Sequence, residues 1–300
     1  MALRLGGPEV LELLEVPDPI PAEGEVLIDV VSAGVNMADA AATRGQYAAS
    51  PPPPFIPGLE VAGRDQEGRP VLAIVAAGGY AERVAADSRL VFPADGIDLE
   101  KAGGSLLVTF TAFYALALVA RLRPGENVLV TAAAGGLGAT SIQMARALGA
   151  GQITGVAGTE EKRQFALEQG ADKALGYEDQ IPPVDVVIDS VGGELFDRCL
   201  AATRQLGRVV PLGASSGTPP LIPDWNYLRR RNVAVLLFSF GMYRGAHPEL
   251  VAATAAPAWA MLRSGQVMPP VTRTLPLAEA ASAHRLLSSR QTMGKLLLKP

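Results

Sequence analysis

Residues 125–146, GENVLVTAAAGGLGATSIQMAR, constrain this chain more than any other stretch. A short apolar run (Val128, Leu129, Val130) leads into a tight Ala/Gly turn. The turn opens directly into a helical pattern from Ala139 to Leu148. Strand, glycine turn and helix in that order make a dinucleotide pocket. Without a side chain, Gly135 lets the backbone approach a pyrophosphate, and Gly138 lets the helix lie close to the strand. The first N–H groups of the helix then face the phosphates, where the helix dipole favours negative charge. The glycine motif alone is weak evidence, and its first position here is Ala133.

The sequence around this segment alternates. Strand-like runs at Val128–Thr131, Ile153–Ala157, Val184–Asp189, Val209–Leu212 and Val233–Phe238 are separated by helical patterns. Those helices cover Ala139–Leu148, Glu160–Gln169, Glu194–Thr203 and Trp225–Arg230. Alternation on this scale predicts a doubly wound parallel sheet with right-handed crossovers, an α/β fold. Near-continuous apolar strands such as Val186-Val187-Ile188 suit a sheet buried on both faces. A helix over Thr109–Leu122 precedes the first of them. The first hundred residues are instead β-rich: Val10–Val16 and Glu25–Val31 are strand-like, and Val71–Val75 with Tyr80–Val84 predict a hairpin around Gly78-Gly79. After Pro248 come one long helical pattern, Glu249–Ser264, and shorter pieces at Ala278–Ser288 and Lys295–Lys299.

Composition removes several classes of function. A chain of 300 residues suggests two domains. Its net charge of −4, with Arg229–Arg231 as the only dense basic run, gives no footprint for nucleic acid. A single cysteine, Cys199, excludes an internal disulfide, and with only His247 and His284 no Cys/His zinc site can be assembled. No apolar run reaches the roughly 18 residues of a spanning helix. The start lacks a basic and apolar leader, so a cytoplasmic protein is expected. Gly213–Gly217 has the spacing of a nucleophile elbow, but the strand–elbow–helix context is missing.

Cofactor choice is legible at the end of the second strand. An NAD enzyme places an acid about 20 residues past the glycine turn, on the ribose 2′-hydroxyl. Here Ile153–Ala157 ends in Gly158-Thr159, and Lys162 can meet a 2′-phosphate. NADPH is therefore expected. Glu160 and Glu161 read as first-turn acids that favour the helix dipole. The Gly213–Gly217 loop, with Ser215, follows the fourth strand and faces the cofactor crevice.

The 125–146 segment resembles the nucleotide-binding signature of the zinc-free quinone oxidoreductase and zeta-crystallin branch of the medium-chain dehydrogenase/reductase family. Gly125, Glu126, Leu129, Ala133, Ala134, Gly135, Gly136, Gly138, Gln143 and Arg146 fall where that pattern places them. The resemblance implies a GroES-like β-rich domain over residues 1–106 and 249–300 and a Rossmann domain over 107–248. It implies NADPH bound at Ala134, Gly135, Gly136, Leu137 and Gly138, at Gly158, Thr159, Lys162 and Tyr177, and at Gly213 and Ser215. It puts Asn36 near the nicotinamide and the substrate, and Tyr47 in the quinone pocket, with Ala41 where the family has another tyrosine. Thr111 and Tyr114 match positions at the nicotinamide end and the phosphates. Phe238 and Ser239 would flank the nicotinamide, and Lys295, after Gly294, would be a C-terminal cofactor contact. The implied reaction moves a hydride from NADPH to a quinone or similar electron-poor carbonyl compound. Reduction of the C=C bond of enals or enones, or NADPH binding without relevant turnover, are the alternatives. A homodimer is expected through the apolar edge Val233–Phe238.

Overall fold

A computed structural model describes residues 1–300. Its strands are β1 (Glu25–Val35), β2 (Glu60–Asp65), β3 (Pro70–Ile74), β4 (Arg83–Asp87), β5 (Val91–Pro93), β6 (Val128–Thr131), β7 (Ile153–Val156), β8 (Lys173–Leu175), β9 (Val184–Asp189), β10 (Thr203–Pro211), β11 (Ala234–Val235), β12 (Val271–Pro276) and β13 (Lys295–Lys299). They fall into two compact units. The first holds Met1–Val108, Gly241–Ser264 and Pro269–Pro300, and the second Thr109–Phe240 with Gly265–Met268. The chain returns to the first unit at Gly241, ahead of the expected residue 249. Contacts explain the difference: Arg244 is buried and donates from Nη1 to the Val75 carbonyl at 2.8 Å.

The first unit is built around β1. One edge of β1 pairs antiparallel with β2, with an irregularity between Val30 and Ser32. The other edge is shared, because Glu25–Asp29 pair with β4 and Ala33–Val35 with β13. The sheet then runs β12-β13-β1-β2-β3-β5. The apolar positions of these strands (Ile28, Ala33, Val61, Val71, Ala73, Leu296 and Leu298) form one buried cluster. Two sequence expectations fail here. Val71–Val75 and Tyr80–Val84 make no hairpin: β3 pairs with β2 and β5, while β4 pairs with β1. The Gly78–Tyr80 turn instead hydrogen-bonds along Ile56–Gly58, with Gly78 at φ +96°. Val10–Val16 is not a strand either. Apart from a bridge between Leu11 and Ala2 it is unpaired, and Leu13, Leu14 and Val16 are exposed.

The second unit is a parallel sheet in the order β11-β10-β9-β6-β7-β8. From β6 the chain first moves one way through β7 and β8, then starts again at β9 on the other side. The reversal makes the ends of β6 and β9 the switch point, where ligands bind in open α/β sheets. β8 has no counterpart in the sequence pattern, and the apolar run Val233–Phe238 supplies only the two-residue edge strand β11. The helix Leu106–Phe113 widens over Tyr114–Val119, where the Ala120 N–H reaches the Ala115 carbonyl at 2.9 Å. The expected helix Glu249–Ser264 is two helices, Pro248–Thr254 and Ala256–Arg263, because Pro257 cannot continue the first.

Candidate active site

The turn after β6 is shaped by close backbone approach. Ala132 takes a left-handed conformation, φ +48°, and its carbonyl accepts from Gly135 N–H at 2.9 Å. A Cβ on Gly138 would strike that carbonyl and lie 2.8 Å from its carbon, so only glycine lets the helix Gly136–Ala147 begin here. No side chain caps Gly135, so the first N–H groups of this helix remain for an anion. Gly135, Gly136 and Leu137 are the accessible residues of the turn; Ala134 and Gly138 are buried and give it its shape. This cradle fits a dinucleotide's phosphates.

The switch point is organised by a residue that carries no motif in the sequence. Asp189, fully buried at the end of β9, accepts from Thr131 Oγ1 at 2.6 Å and from the N–H groups of Val191 and Gly192. Those bonds fix the Ser190–Gly192 turn, whose carbonyls at Ser190 and Val191 accept from the N–H groups of Ser215 and Ser216, both at 3.0 Å. Gly213 and Ser215 therefore lie just past the end of β10, against the Ser190–Gly192 turn.

Beyond β7, the Gly158 backbone faces Tyr177: a Cβ there would come within 3.1 Å of the ring. Arg198 holds the Tyr177 loop by donating to the carbonyls of Tyr177 and Asp179. Thr159 caps the helix Glu160–Glu168, its Oγ1 accepting from Lys162 N–H at 3.3 Å. A cavity of about 570 Å³ opens beside Gly158 and Tyr177. Its lining cation is Arg163, next to the expected Lys162, together with the acids Glu160, Glu178 and Asp179. Burial lowers the pKa of Lys162. Tyr114 has a packing role, with its ring 2% exposed and stacked on Phe238 at 6.0 Å between centroids. Thr111 is half-buried and Ser239 exposed.

The first unit gathers the other expected residues into a buried polar cluster. Asn36 follows β1 and caps the helix Met37–Thr43. Its Oδ1 accepts from Lys295 Nζ at 2.6 Å, and its Nδ2 donates to Glu60 Oε1 at 3.0 Å. Lys295 also donates to Glu60 Oε1 at 2.9 Å and to the Val35 carbonyl at 3.2 Å. All three ammonium protons are thereby engaged in the interior. The resemblance places Lys295 at the cofactor; the structure makes it the partner of Glu60 and the clamp of Asn36. Glu60 is absent from the expected site residues. Its only signal in the sequence is a lone acid opening an apolar stretch, Glu60-Val61-Ala62, which must find a partner if the stretch is buried.

A second arm runs from Asp39. Asp39 Oδ2 accepts from Asn36 N–H at 2.8 Å and from Tyr80 Oη at 3.0 Å, and Tyr80 Oη lies 3.2 Å from His284 Nε2. Burial raises the pKa of Asp39 from 3.8 to about 6, against the pull of the Asn36 N–H, Lys295 and Tyr80. Burial also lowers that of His284 from 6.5 to about 4, helped by Arg44. His284 is thus a neutral core residue, the packing role its helix suggests. Tyr47 packs against Ala2, Val10, Ala42 and Phe55, and its hydroxyl lies over the Gly241 backbone, where a Cβ would collide with it.

Comparison with known proteins adds the family. A family model described as alcohol dehydrogenase GroES-like domain matches residues 22–70, and one described as zinc-binding dehydrogenase matches 169–298. Quinone oxidoreductase 1 of Escherichia coli is 33% identical over 98% of this chain and 97% of the relative. The chain belongs to the quinone oxidoreductase family of medium-chain dehydrogenases/reductases. The quinone oxidoreductase of Thermus thermophilus, solved alone and with NADPH, matches 100% of this chain and 98% of that one, at 36% identity and TM-score 0.88. Escherichia coli quinone oxidoreductase complexed with NADPH matches 99% and 98%, at 30% identity and TM-score 0.88. The donors for a zinc ion are not assembled in this member: no three His, Cys, Asp or Glu side chains are grouped to hold a metal.

Two outcomes follow from the buried cluster. Lys295→Met leaves Glu60 charged and unpaired, and urea denaturation should show a loss of about 3–5 kcal/mol. The double change with Glu60→Leu should recover much of it. The second outcome concerns pH. Between about 4 and 6 folded Asp39 holds more protons than unfolded, so its contribution to stability falls as pH rises. Between about 4 and 6.5 His284 does the opposite, because the unfolded chain binds more protons there. In Asp39→Asn the His284 effect stands alone. The melting temperature of that variant should drop more steeply than the wild type's on acidification from pH 6.5 to 4.

Proposed function

We propose that this protein, an NADPH-dependent oxidoreductase, reduces quinones or closely similar electron-poor carbonyl compounds. The observation that carries the cofactor half is the end of β7, where Gly158, and not an acid, stands at the chain position that holds a ribose 2′-hydroxyl in an NAD enzyme and packs against Tyr177. Lys162 and Arg163 stand there instead. The quinone half is supported by likeness along nearly the whole chain to proteins named quinone oxidoreductase.

NADPH, when bound, supplies the hydride from its nicotinamide C4. Residues of the second unit would hold it: the Gly135–Leu137 turn would take the pyrophosphate, with Gly213 and Ser215 beside it, and Thr111, Phe238 and Ser239 would serve the nicotinamide. Asn36 orients the acceptor. Its Nδ2 also donates to the Gly34 carbonyl at 3.5 Å, a long contact that a better-placed acceptor oxygen can displace. The Lys295 charge on Oδ1 polarises the amide and strengthens its N–H as a donor to a carbonyl oxygen. A reduced quinone leaves as a stabilised phenolate that water can protonate, so no dedicated general acid is required.

Reduction of enals or enones is the second reading. It is favoured by Ala41, half-buried where the resemblance places a tyrosine, which leaves the acceptor region room for other shapes. Following NADPH oxidation with benzoquinones and with 2-alkenals should give turnover with the quinones at the higher kcat/KM. No turnover with any quinone would remove the first reading. Tight NADPH binding without turnover on either class would leave a binding protein. Lys162→Ala should raise the KM for NADPH by about tenfold and leave NADH use nearly unchanged. Dimerisation is proposed at the β11 edge, where Leu237, just past the strand, is 72% exposed. Light scattering at micromolar concentration should give twice the chain mass.

A further inference from the structure

Within the second unit, one ion pair stands at the mouth of the cavity beside Gly158. Arg163 donates from Nε at 3.1 Å and from Nη2 at 2.6 Å, both to the same oxygen of Glu160, Oε2. The two partners are unequally placed. The Arg163 side chain is 26% exposed and lies along the cavity wall, whereas that of Glu160 is 83% exposed. Arg163 Nη1 takes no part in the pair. It lies over Gly176, where a Cβ would come within 3.3 Å of it, so the glycine is what gives the guanidinium its seat.

We propose that Arg163 is the fork that takes the 2′-phosphate of NADPH, and that Glu160 occupies it as an internal competitor for that phosphate. The proposal rests on the NADPH reading above and adds to it a residue and a means of discrimination. A guanidinium presents paired donors that match phosphate oxygens, and it binds an anion of higher charge more strongly than a carboxylate. The exchange moves little. Glu160 is mostly in water already and can swing outward, while Arg163 keeps its place against the wall. Other charges facing Arg163 come from the loop after β8. Asp179 is engaged by the Gly176 N–H at 2.7 Å, and Glu178 lines the same cavity. NADH carries no 2′-phosphate and leaves the Glu160–Arg163 pair intact, so only NADPH gains the fork. Glu160 at the first turn of its helix is held there by the dipole as well, which keeps the competitor in place when the cofactor is absent.

Isothermal titration of the whole protein with 2′,5′-ADP and with 5′-AMP at low ionic strength tests this without any hydride acceptor. The wild type should bind 2′,5′-ADP more tightly than 5′-AMP. Arg163→Gln should weaken 2′,5′-ADP about tenfold or more and leave 5′-AMP unchanged. Glu160→Gln should tighten 2′,5′-ADP about two- to fivefold, the scale of an exposed ion pair. In the double variant that gain should vanish, because it acts only through Arg163. A gain that survives the loss of Arg163, or that Glu161→Gln reproduces equally, is general charge repulsion and overturns the competition. An Arg163→Gln variant with unchanged affinity overturns the fork while leaving the NADPH reading intact. A wild type that fails to distinguish the two nucleotides overturns that reading as well.

Discussion

The first unit depends on a charge pair with almost no access to water. Lys295 and Glu60 have side chains 3% and 0% exposed, and neither could be there alone. Their union joins segments far apart in the chain. Glu60 Oε2 accepts from Leu107 N–H at 2.9 Å, its Oε1 holds Lys295 and Asn36, and Lys295 reaches back to the end of β1. Each bond satisfies a group that would otherwise be buried at a cost. The same bonds fix the amide of Asn36 in one orientation, so stability and site geometry share one set of atoms. A buried pair of this kind adds little to stability compared with an apolar replacement. Its value here is the direction it gives to the half-buried amide of Asn36, whose other N–H makes only a long contact with the Gly34 carbonyl.

The neighbouring Asp39–Tyr80–His284 arm works differently. No formal charge partner meets Asp39 directly, and burial moves the two titrating ends in opposite senses. One resists losing its proton and the other resists gaining one. The Tyr80 hydroxyl between them can serve either neighbour, since burial and Asp39 hold its own proton firmly. Burial is thus expressed in this arm as pKa displacement, whereas in the Lys295–Glu60 pair each charge meets the other.

Local patterns make the second unit readable from sequence. Glycine spacing, alternating strands and helices, and the absent acid at Gly158 all act through neighbours in the chain. The signature residues away from the turn are the exception, since their partners are distant in the chain: Glu126 accepts two hydrogen bonds from Arg208 at 2.8 and 2.7 Å, and Arg146 meets Asp172 at 2.6 Å. The first unit is less legible because its pairings are long-range. Nothing near Val71 says that its strand prefers β2 and β5 to the one that follows. Glu60 and Tyr80 escape notice because their partners lie many residues away, at Lys295 and His284. Resemblance marks the position of Lys295, and only geometry shows that its donors meet Glu60, Asn36 and the Val35 carbonyl. Arg163 is hidden because Lys162 beside it offers the same charge, and sequence alone does not show which of two adjacent cations lines a cavity.

The position of β13 has a consequence for how the protein is made. The last strand of the chain lies inside the first unit's sheet, between β12 and β1. During synthesis the ribosome releases β1 to β5 long before their neighbour exists, whereas everything the second unit's sheet needs, from β6 to β11, emerges in one continuous run. Domains generally fold as units while the chain grows, at about 5–20 residues per second. The second unit can therefore close first, while the first unit is still incomplete. Until residue 295 emerges, Glu60 lacks its cation and Ala33–Val35 of β1 lack their partner strand, both exposed to chaperones and to mispairing. The closing strand acts as the key that locks a structure begun at the other end of the chain.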